Sequence, residues 1–442
     1  MQAQILTWQD VVRNRVIHCW NLPVAKSPLC LIADIYILKP IKIEMIKAKY
    51  LLLSGCMTLI MFSAHAQKTG KGRTVSFKKT ELTKRFIAEG AAMGDVNKDG
   101  KKDVLSGAYW FEAPDWKAHE LAKPDTFKVN GSYSNSFLDF AMDVNQDGWI
   151  DLIRIDWPGK AAVWHENPKN KPGHWTTHII HSSVGNESPQ LVDIDGDGRL
   201  DLLCNDPTAK KVIWLKSPVK KGDTEWTQYV ISNDPKQSTH MYSHGIGYGD
   251  INGDGRKDVL VKDGWWEGPA NGPAKHDKNT DWVFHKADLG EDCSQMYVMD
   301  LNGDGLNDVI SASAHDYGMW WHEQGKDAQG NATWKHHEID KSFSQSHGLA
   351  LADINGDGHP DLVTGKRYFA HNGNDPGEFE PAVINWYEYK PGKTPQWIKH
   401  EIDNDSGVGL HVTVEDINKD GLLDIVTGNK KGVRIFTQQK GK

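Results

Sequence analysis

Asp250-Ile-Asn-Gly-Asp-Gly-Arg-Lys-Asp258 is the stretch whose reading decides the fold. Oxygen-bearing side chains stand at its positions 1, 3, 5 and 9, with glycine at 6. Six further copies begin at Asp95, Asp143, Asp193, Asp300, Asp353 and Asp416, spaced 48 to 63 residues apart. A repeat of this period signals stacked or radially arranged supersecondary units. Each copy follows a short run of small or apolar residues, such as Leu349-Ala-Leu-Ala352, and precedes an apolar pair such as Val104-Leu105 or Leu362-Val363. An aromatic-acidic segment comes next, as in Tyr109-Trp-Phe-Glu112, Trp265-Trp-Glu267 and Trp320-Trp-His-Glu323. Most units close on Trp-x-x-His, as at Trp116 to His119 and Trp334 to His337. Four short strands per unit at this spacing predict an all-β, seven-bladed β-propeller. The seventh unit ends after Val433-Arg-Ile-Phe436 without a fourth strand. Phe77-Lys-Lys-Thr-Glu-Leu82 resembles the fourth strand Trp116 to Leu121, so the N-terminal strand is expected to close the last blade and hide its edge.

The motif carries ligand chemistry. Its oxygens match the front half of an EF-hand loop, and the glycine permits the sharp turn. The predicted calcium ligands are Asp95, Asn97, Asp99 and Asp103 in the first copy, and Asp143, Asn145, Asp147 and Asp151 in the second. They are Asp193, Asp195, Asp197 and Asp201 in the third, Asp250, Asn252, Asp254 and Asp258 in the fourth, and Asp300, Asn302, Asp304 and Asp308 in the fifth. The sixth gives Asp353, Asn355, Asp357 and Asp361, and the seventh Asp416, Asn418, Asp420 and Asp424. One such copy reads equally well as an Asx-rich turn. Seven in register point to calcium, with a stabilising role, because clustered carboxylates repel unless a cation neutralises them.

The N-terminal segment reads differently. Residues 1–44 are read as upstream of the true start, Met45. Residues 45–66 then make a secretory signal peptide: a basic Lys47 and Lys49, an apolar run from Leu51 to Phe62, and the small-x-small site Ala64-His-Ala66. The run is too short to span a bilayer. The Leu53-Ser-Gly-Cys56 segment resembles a lipobox, but the apolar run continues past it. A secreted or periplasmic protein covering residues 67–442 is expected. The full chain carries a net charge of −8, which argues against nucleic acid as a partner. Beyond the leader only Cys204 and Cys293 remain; they fall in different units and read as packed small hydrophobes.

With Asp250-Ile-Asn-Gly-Asp-Gly255 and its six relatives, the chain resembles the FG-GAP/VCBS repeat proteins, the family of the integrin α-subunit propeller. The resemblance covers residues 75–438 and implies the fold and calcium, but no activity. Function is sought at the other ends of the strands. Six residues before the first Asp stand Glu89, Phe137, Glu187, His244, Ser294, His347 and Leu410, with His411 one place on; thirteen after it stand Asp156, Asp263 and Lys366 among others. Trp157, Trp265, His315 and Tyr317 lie nearby, and the sixth unit carries Gly365-Lys-Arg-Tyr368 and His371 to Asp375. By contrast His119, His178, His285, His337 and His400, with His165 and His322, read as repeat architecture.

Two functions fit this face. In one it binds a carbohydrate or polysaccharide, or a protein, without chemistry. In the other it is a metal-assisted sugar lyase or dehydratase. Candidate catalytic residues are then His244, His347, His411, Glu187, Lys366, Arg367 and Tyr368, with a second divalent metal at the axial mouth. The expected substrate-binding residues are Glu89, Asp156, Asp263, Trp265, His315, Tyr317, His371 and Asp375. In this reading Lys366 or Arg367 neutralises a uronate or enolate. Ala314-His-Asp-Tyr-Gly318, Ser344-Gln-Ser-His347 and Gly365-Lys-Arg-Tyr368 are similar to the propeller part of the aldos-2-ulose dehydratase family. That resemblance implies that His347, Lys366, Arg367 and Tyr368 line a sugar site.

Overall fold

The computed structural model describes residues 74–291 and 293–441. The expected start at Met45 and the signal peptide over 45–66 lie outside the described residues. Within them the chain is all-β, with one short 3-10 turn at Pro273–Lys275. Strands Ala92–Gly94, Asp103–Ser106, Tyr109–Glu112 and Lys117–Glu120 pair antiparallel in that order. The same meander recurs along the chain. Two meanders merge where the 17-residue strand Thr176–Val192 ends one and begins the next. Two others join through a short parallel pairing, Ile246 to Gln295 and Gly247 to Met296. Five sheets result. The N-terminal strand Phe77–Thr83 pairs with Gly432–Gln438, so the two termini complete one sheet together, as the sequence led us to expect. Most neighbouring first strands pack side by side, and Val412–Glu415 lies against Ala92–Gly94.

The repeat explains the packing. The apolar pair after the ninth position is fully buried in all seven units, from Val104 and Leu105 to Ile425 and Val426. Trp110, Trp164, Trp265, Trp321 and Trp386 stack on His119, His178, His285, His337 and His400, with centroids 4.2 to 4.3 Å apart. Each of those histidines meets a third-strand glutamate: Glu112, Glu166, Glu267, Glu323 or Glu388. The other oxygen of Glu112, Glu166, Glu323 and Glu388 accepts from the position-3 asparagine, tying loop to outer strand. These histidines are therefore architectural, as read. So are His165, on Thr177 Oγ1, and His322, on Ser311 Oγ. Cys204 and Cys293 sit in separate core clusters.

The Asp-rich hairpins join first and second strands. Their sixth-position glycines all have φ between 83° and 92°, a region costly for any residue with a Cβ. In the sixth copy Asp353 accepts from the amides of Gly356, Asp357 and Gly358, Asn355 from Asp357, and Asp357 from His359. The ninth-position aspartate is wholly buried behind the loop. Asp361 accepts from Ile354 N at 3.0 Å with one oxygen and from Tyr389 N at 2.9 Å with the other. Asp103, Asp151, Asp201, Asp258, Asp308 and Asp424 make the same bracket between loop and third strand. Burial pushes these carboxyls up, to about 6 at Asp103 and about 8 at Asp151 despite two amide partners, and the neighbouring loop carboxylates add to the rise. The third copy differs. It has Asp195 where five others pair asparagine with a glutamate-bearing strand, and Lys216 replaces that glutamate. Lys216 Nζ contacts Asp195 and lies 2.5 Å from Asp197 Oδ2.

Candidate functional site

The strand ends opposite the Asp loops enclose a cleft of about 350 Å³. Its wall is aromatic. Trp157 sits edge-on to Tyr133, Phe137 and Tyr242, with centroids 4.6, 5.3 and 5.9 Å away. Its floor is ionisable: Glu187, His244, His315 and His371 line it. Each comes from where the repeat places a strand end. Glu187 lies within Thr176–Val192, His244 just before Ile246–Gly249, His347 just before Leu349–Ala352, and His315 just past Asp308–Ala312.

Under the floor, Arg367 ties two acids together. Its guanidinium donates to Glu89 Oε2 at 2.6 Å and to Glu187 Oε2 at 3.1 Å, all three side chains being nearly inaccessible. The Tyr133 and Phe137 rings cover it, each centroid 5.7 Å from the guanidinium carbon. His347 Nε2 lies 3.3 Å and His244 Nε2 3.7 Å from the same Glu187 oxygen. Burial pushes the Glu187 carboxyl up, but His244, His347 and Arg367 outweigh it and hold it well below the usual carboxylate range. Burial, and then Arg367, push His347 well below the ordinary histidine range, which keeps its imidazole neutral. His315 Nε2 meets His244 Nε2 at 2.9 Å, and its Nδ1 lies 3.5 Å from Asp375. Asp375 also takes His371 Nδ1 at 2.8 Å; that contact holds the His371 imidazole above its ordinary pKa.

Glu89, Glu187, His244, His347, Arg367, His315, His371 and Asp375 are thus brought together, with Glu89 and Arg367 beneath the floor. Others are not. Trp265 is a core residue stacked on His285, equivalent to Trp110 and Trp164. His411 turns away: its Nδ1 bonds Asp139 O at 3.0 Å, its ring packs on Phe140, and it lines a separate hollow between the first strands. Lys366 is fully buried, donating to Gly377 O and to Ser344 Oγ at 3.2 Å, so it anchors the 371–380 segment and cannot meet a ligand. Arg367 is likewise committed to its two glutamates. Neither neutralises a uronate or an enolate as the sequence suggested.

The remaining candidates do not line the cleft. Tyr368 lies under Lys431 Nζ, 4.6 Å from its ring centroid. Tyr317 OH donates to Glu380 at 2.7 Å, Asp156 accepts from Trp157 N, and Asp263 lines an adjoining hollow with His240 and Tyr242. The sequence reading missed Tyr133 and Tyr242 as wall residues. Both lie in long strand-free stretches before a first strand, and the length of those stretches was the available signal.

Comparison with known proteins agrees with the repeat. A model of the FG-GAP-like repeat matches residues 143–204 and 300–364. Human integrin alpha-7 is 34% identical over 82 residues, 19% of this chain but 7% of the integrin. Among solved structures, an Agrocybe aegerita lectin described as recognising non-reducing terminal N-acetylglucosamine aligns over 85% of this chain and 88% of its own. Its TM-score is 0.43 at 15% identity. The extracellular domain of a putative hybrid two-component system of B. thetaiotaomicron aligns over 82% of this chain and 41% of its own, with a TM-score of 0.41 at 12% identity. Among the described residues no helix is long and apolar enough to cross a membrane. The repeated Asp hairpins agree with that match: two separate stretches of the chain are similar to the FG-GAP-like repeat.

Proposed function

We propose that this is a secreted, calcium-stabilised seven-bladed propeller that binds a neutral carbohydrate in the aromatic-walled cleft opposite its Asp loops. The blade count is supported by the cyclic contact order of first strands and by the N-terminal strand that completes the last sheet. Calcium would be held by the first, third and fifth loop side chains. Asp95 Oδ1, buried without a partner, fits that role. The ninth-position aspartate, expected as a fourth ligand, is buried with both oxygens taken by backbone amides, as at Asp361. The ion would supply positive charge to a cluster that otherwise repels itself. At the third loop it would have to displace Lys216.

The observation that carries the carbohydrate reading is the perpendicular set of Trp157, Tyr133 and Tyr242 beside hydrogen-bonding imidazoles and a carboxylate. Apolar ring faces cover the C–H side of a sugar while a few polar groups fix its hydroxyls. A neutral sugar is favoured because the cations beside the site are already committed: Lys366 to Gly377 O, Arg367 to its two glutamates, and Lys430, 4.4 Å from the Tyr133 ring, to Asn372. The test is calorimetric titration with neutral oligosaccharides and polyuronates. A neutral glycan should bind, with at least tenfold loss in Trp157→Ala; uronate binding alone, or no binding, defeats the proposal. The second reading, a sugar dehydratase, is favoured by the imidazoles converging on Glu187. It predicts an ultraviolet-absorbing elimination product from keto-sugars with wild type and none with His347→Ala.

A further inference from the structure

We infer that His244, His315, His347 and Glu187 form a binding centre for one zinc-class divalent ion, with Asp375 as the residue that orients His315. The ligand nitrogens of the three histidines lie within 4.8 Å of one another. Three separations within the set are fixed: 2.9 Å between His244 Nε2 and His315 Nε2, 3.3 Å between His347 Nε2 and Glu187 Oε2, and 3.7 Å between His244 Nε2 and Glu187 Oε2. Four donors placed tetrahedrally at about 2.0–2.1 Å from an ion stand about 3.3 Å from each other. These three of the set's six separations bracket that edge.

Hydrogen bonding points the same way. His347 is completely buried, yet its ring nitrogens make no well-formed hydrogen bond, the one polar approach being Nε2 to Glu187 Oε2 at 3.3 Å. A buried imidazole left this way is costly unless something binds it. The Nε2 atoms of His244 and His315 approach to 2.9 Å, a contact in which one imidazole donates to the other; an ion at that point would instead accept an electron pair from each. An outer layer stands close by. Arg367 fixes Glu187, and Asp375 lies 3.5 Å from His315 Nδ1 while it accepts from His371. A carboxylate on the far nitrogen of a ligating histidine sets its tautomer and aim. Three imidazoles and one carboxylate suit zinc and its neighbours; calcium and magnesium prefer all-oxygen sites. The centre is therefore chemically distinct from the Asp loops at the other end of the strands, and it stands whether or not a sugar occupies the cleft.

The test is zinc content of the whole protein after equilibration with zinc in excess calcium and gel filtration, read by elemental analysis. Wild type should retain one zinc per chain, and His347→Ala and His315→Ala none. His411→Ala should retain one. Asp375→Asn should bind 10- to 100-fold more weakly. Cobalt in place of zinc should give visible ligand-field bands that His315→Ala abolishes, and thermal melts identify any variant that has failed to fold. A wild type without zinc, or His347→Ala and His315→Ala variants that are folded and still hold one zinc, would overturn the inference. A zinc-free wild type that still binds sugar would overturn it while leaving the carbohydrate reading intact.

Discussion

At the Asp-loop end of the strands, the seven units repeat one motif and nearly one set of hydrogen bonds. At the other end, five units each contribute different side chains to a single cluster. The loops are local: Asp353 bonds amides three to five residues away. The mouth is non-local: Arg367 reaches acids 180 and 278 positions away in sequence. Repetition therefore marks what holds the fold together, and departure from it marks where a ligand site can be assembled. The third loop supports the lesson from within the rim. Where Asp195 breaks the motif, Lys216 has replaced the glutamate of the other strands, so a compensating change keeps that corner structural.

The largest effect should come from Arg367→Met. It leaves Glu89 and Glu187 buried without their cation, and removing one partner of a buried pair costs about 3–5 kcal/mol. Urea denaturation should register that loss, and adding Glu89→Gln should restore part of it. A loss below about 1 kcal/mol would mean that the mouth is as loosely held as an exposed ion pair. Next comes Asp361→Ala, which strands the amides of Ile354 and Tyr389. At about 1–3 kcal/mol for each buried unsatisfied group, it should lower stability by about 3 kcal/mol. Lys216→Gln should cost less, about 1–2 kcal/mol, since Asp195 is nearly buried but Asp197 is partly exposed. Equal losses in the two would erase the distinction between bracket and loop.

The smallest effect is a pH slope. Burial pushes His411 down to about 4, so the folded chain stays neutral there while the unfolded chain takes up a proton near pH 6.5. The stability this neutral imidazole contributes is fully present above pH 6.5. It is lost as pH falls toward 4, by up to about 1.4 kcal/mol per unit. His411→Asn should make the acid loss shallower by that amount and leave neutral-pH zinc content and sugar affinity unchanged. A parallel slope in wild type and variant would show that His411 titrates in the folded chain as it does in the unfolded one.

Much of this was legible because it is periodic. Position 6 had to be glycine for its positive φ, the apolar pair had to be buried, and the Trp–His partners had to recur once per unit. The misreadings came from register. His411 stands one residue past the mouth position held by Leu410, and in a strand one step turns the side chain to the other face. Trp265 was counted forward from its loop as a mouth residue, although its alignment with Trp110, Trp164, Trp321 and Trp386 places it in the core. Lys366 and Arg367 were read by charge alone; their partners, Gly377, Glu89 and Glu187, come from other segments.

By itself the sequence determined the all-β repeat, the turn at every Asp loop, the architectural histidines, and which strand ends carry the unusual side chains. Each of these depends on residues a few positions apart, whose geometry the backbone period dictates. Only the tertiary structure decided that Glu187 sits between His244 and His347, that His315 replaces His411, and that Tyr133 and Tyr242 wall the cleft. Those contacts join segments separated by tens to hundreds of residues, and no local period encodes which of them will meet.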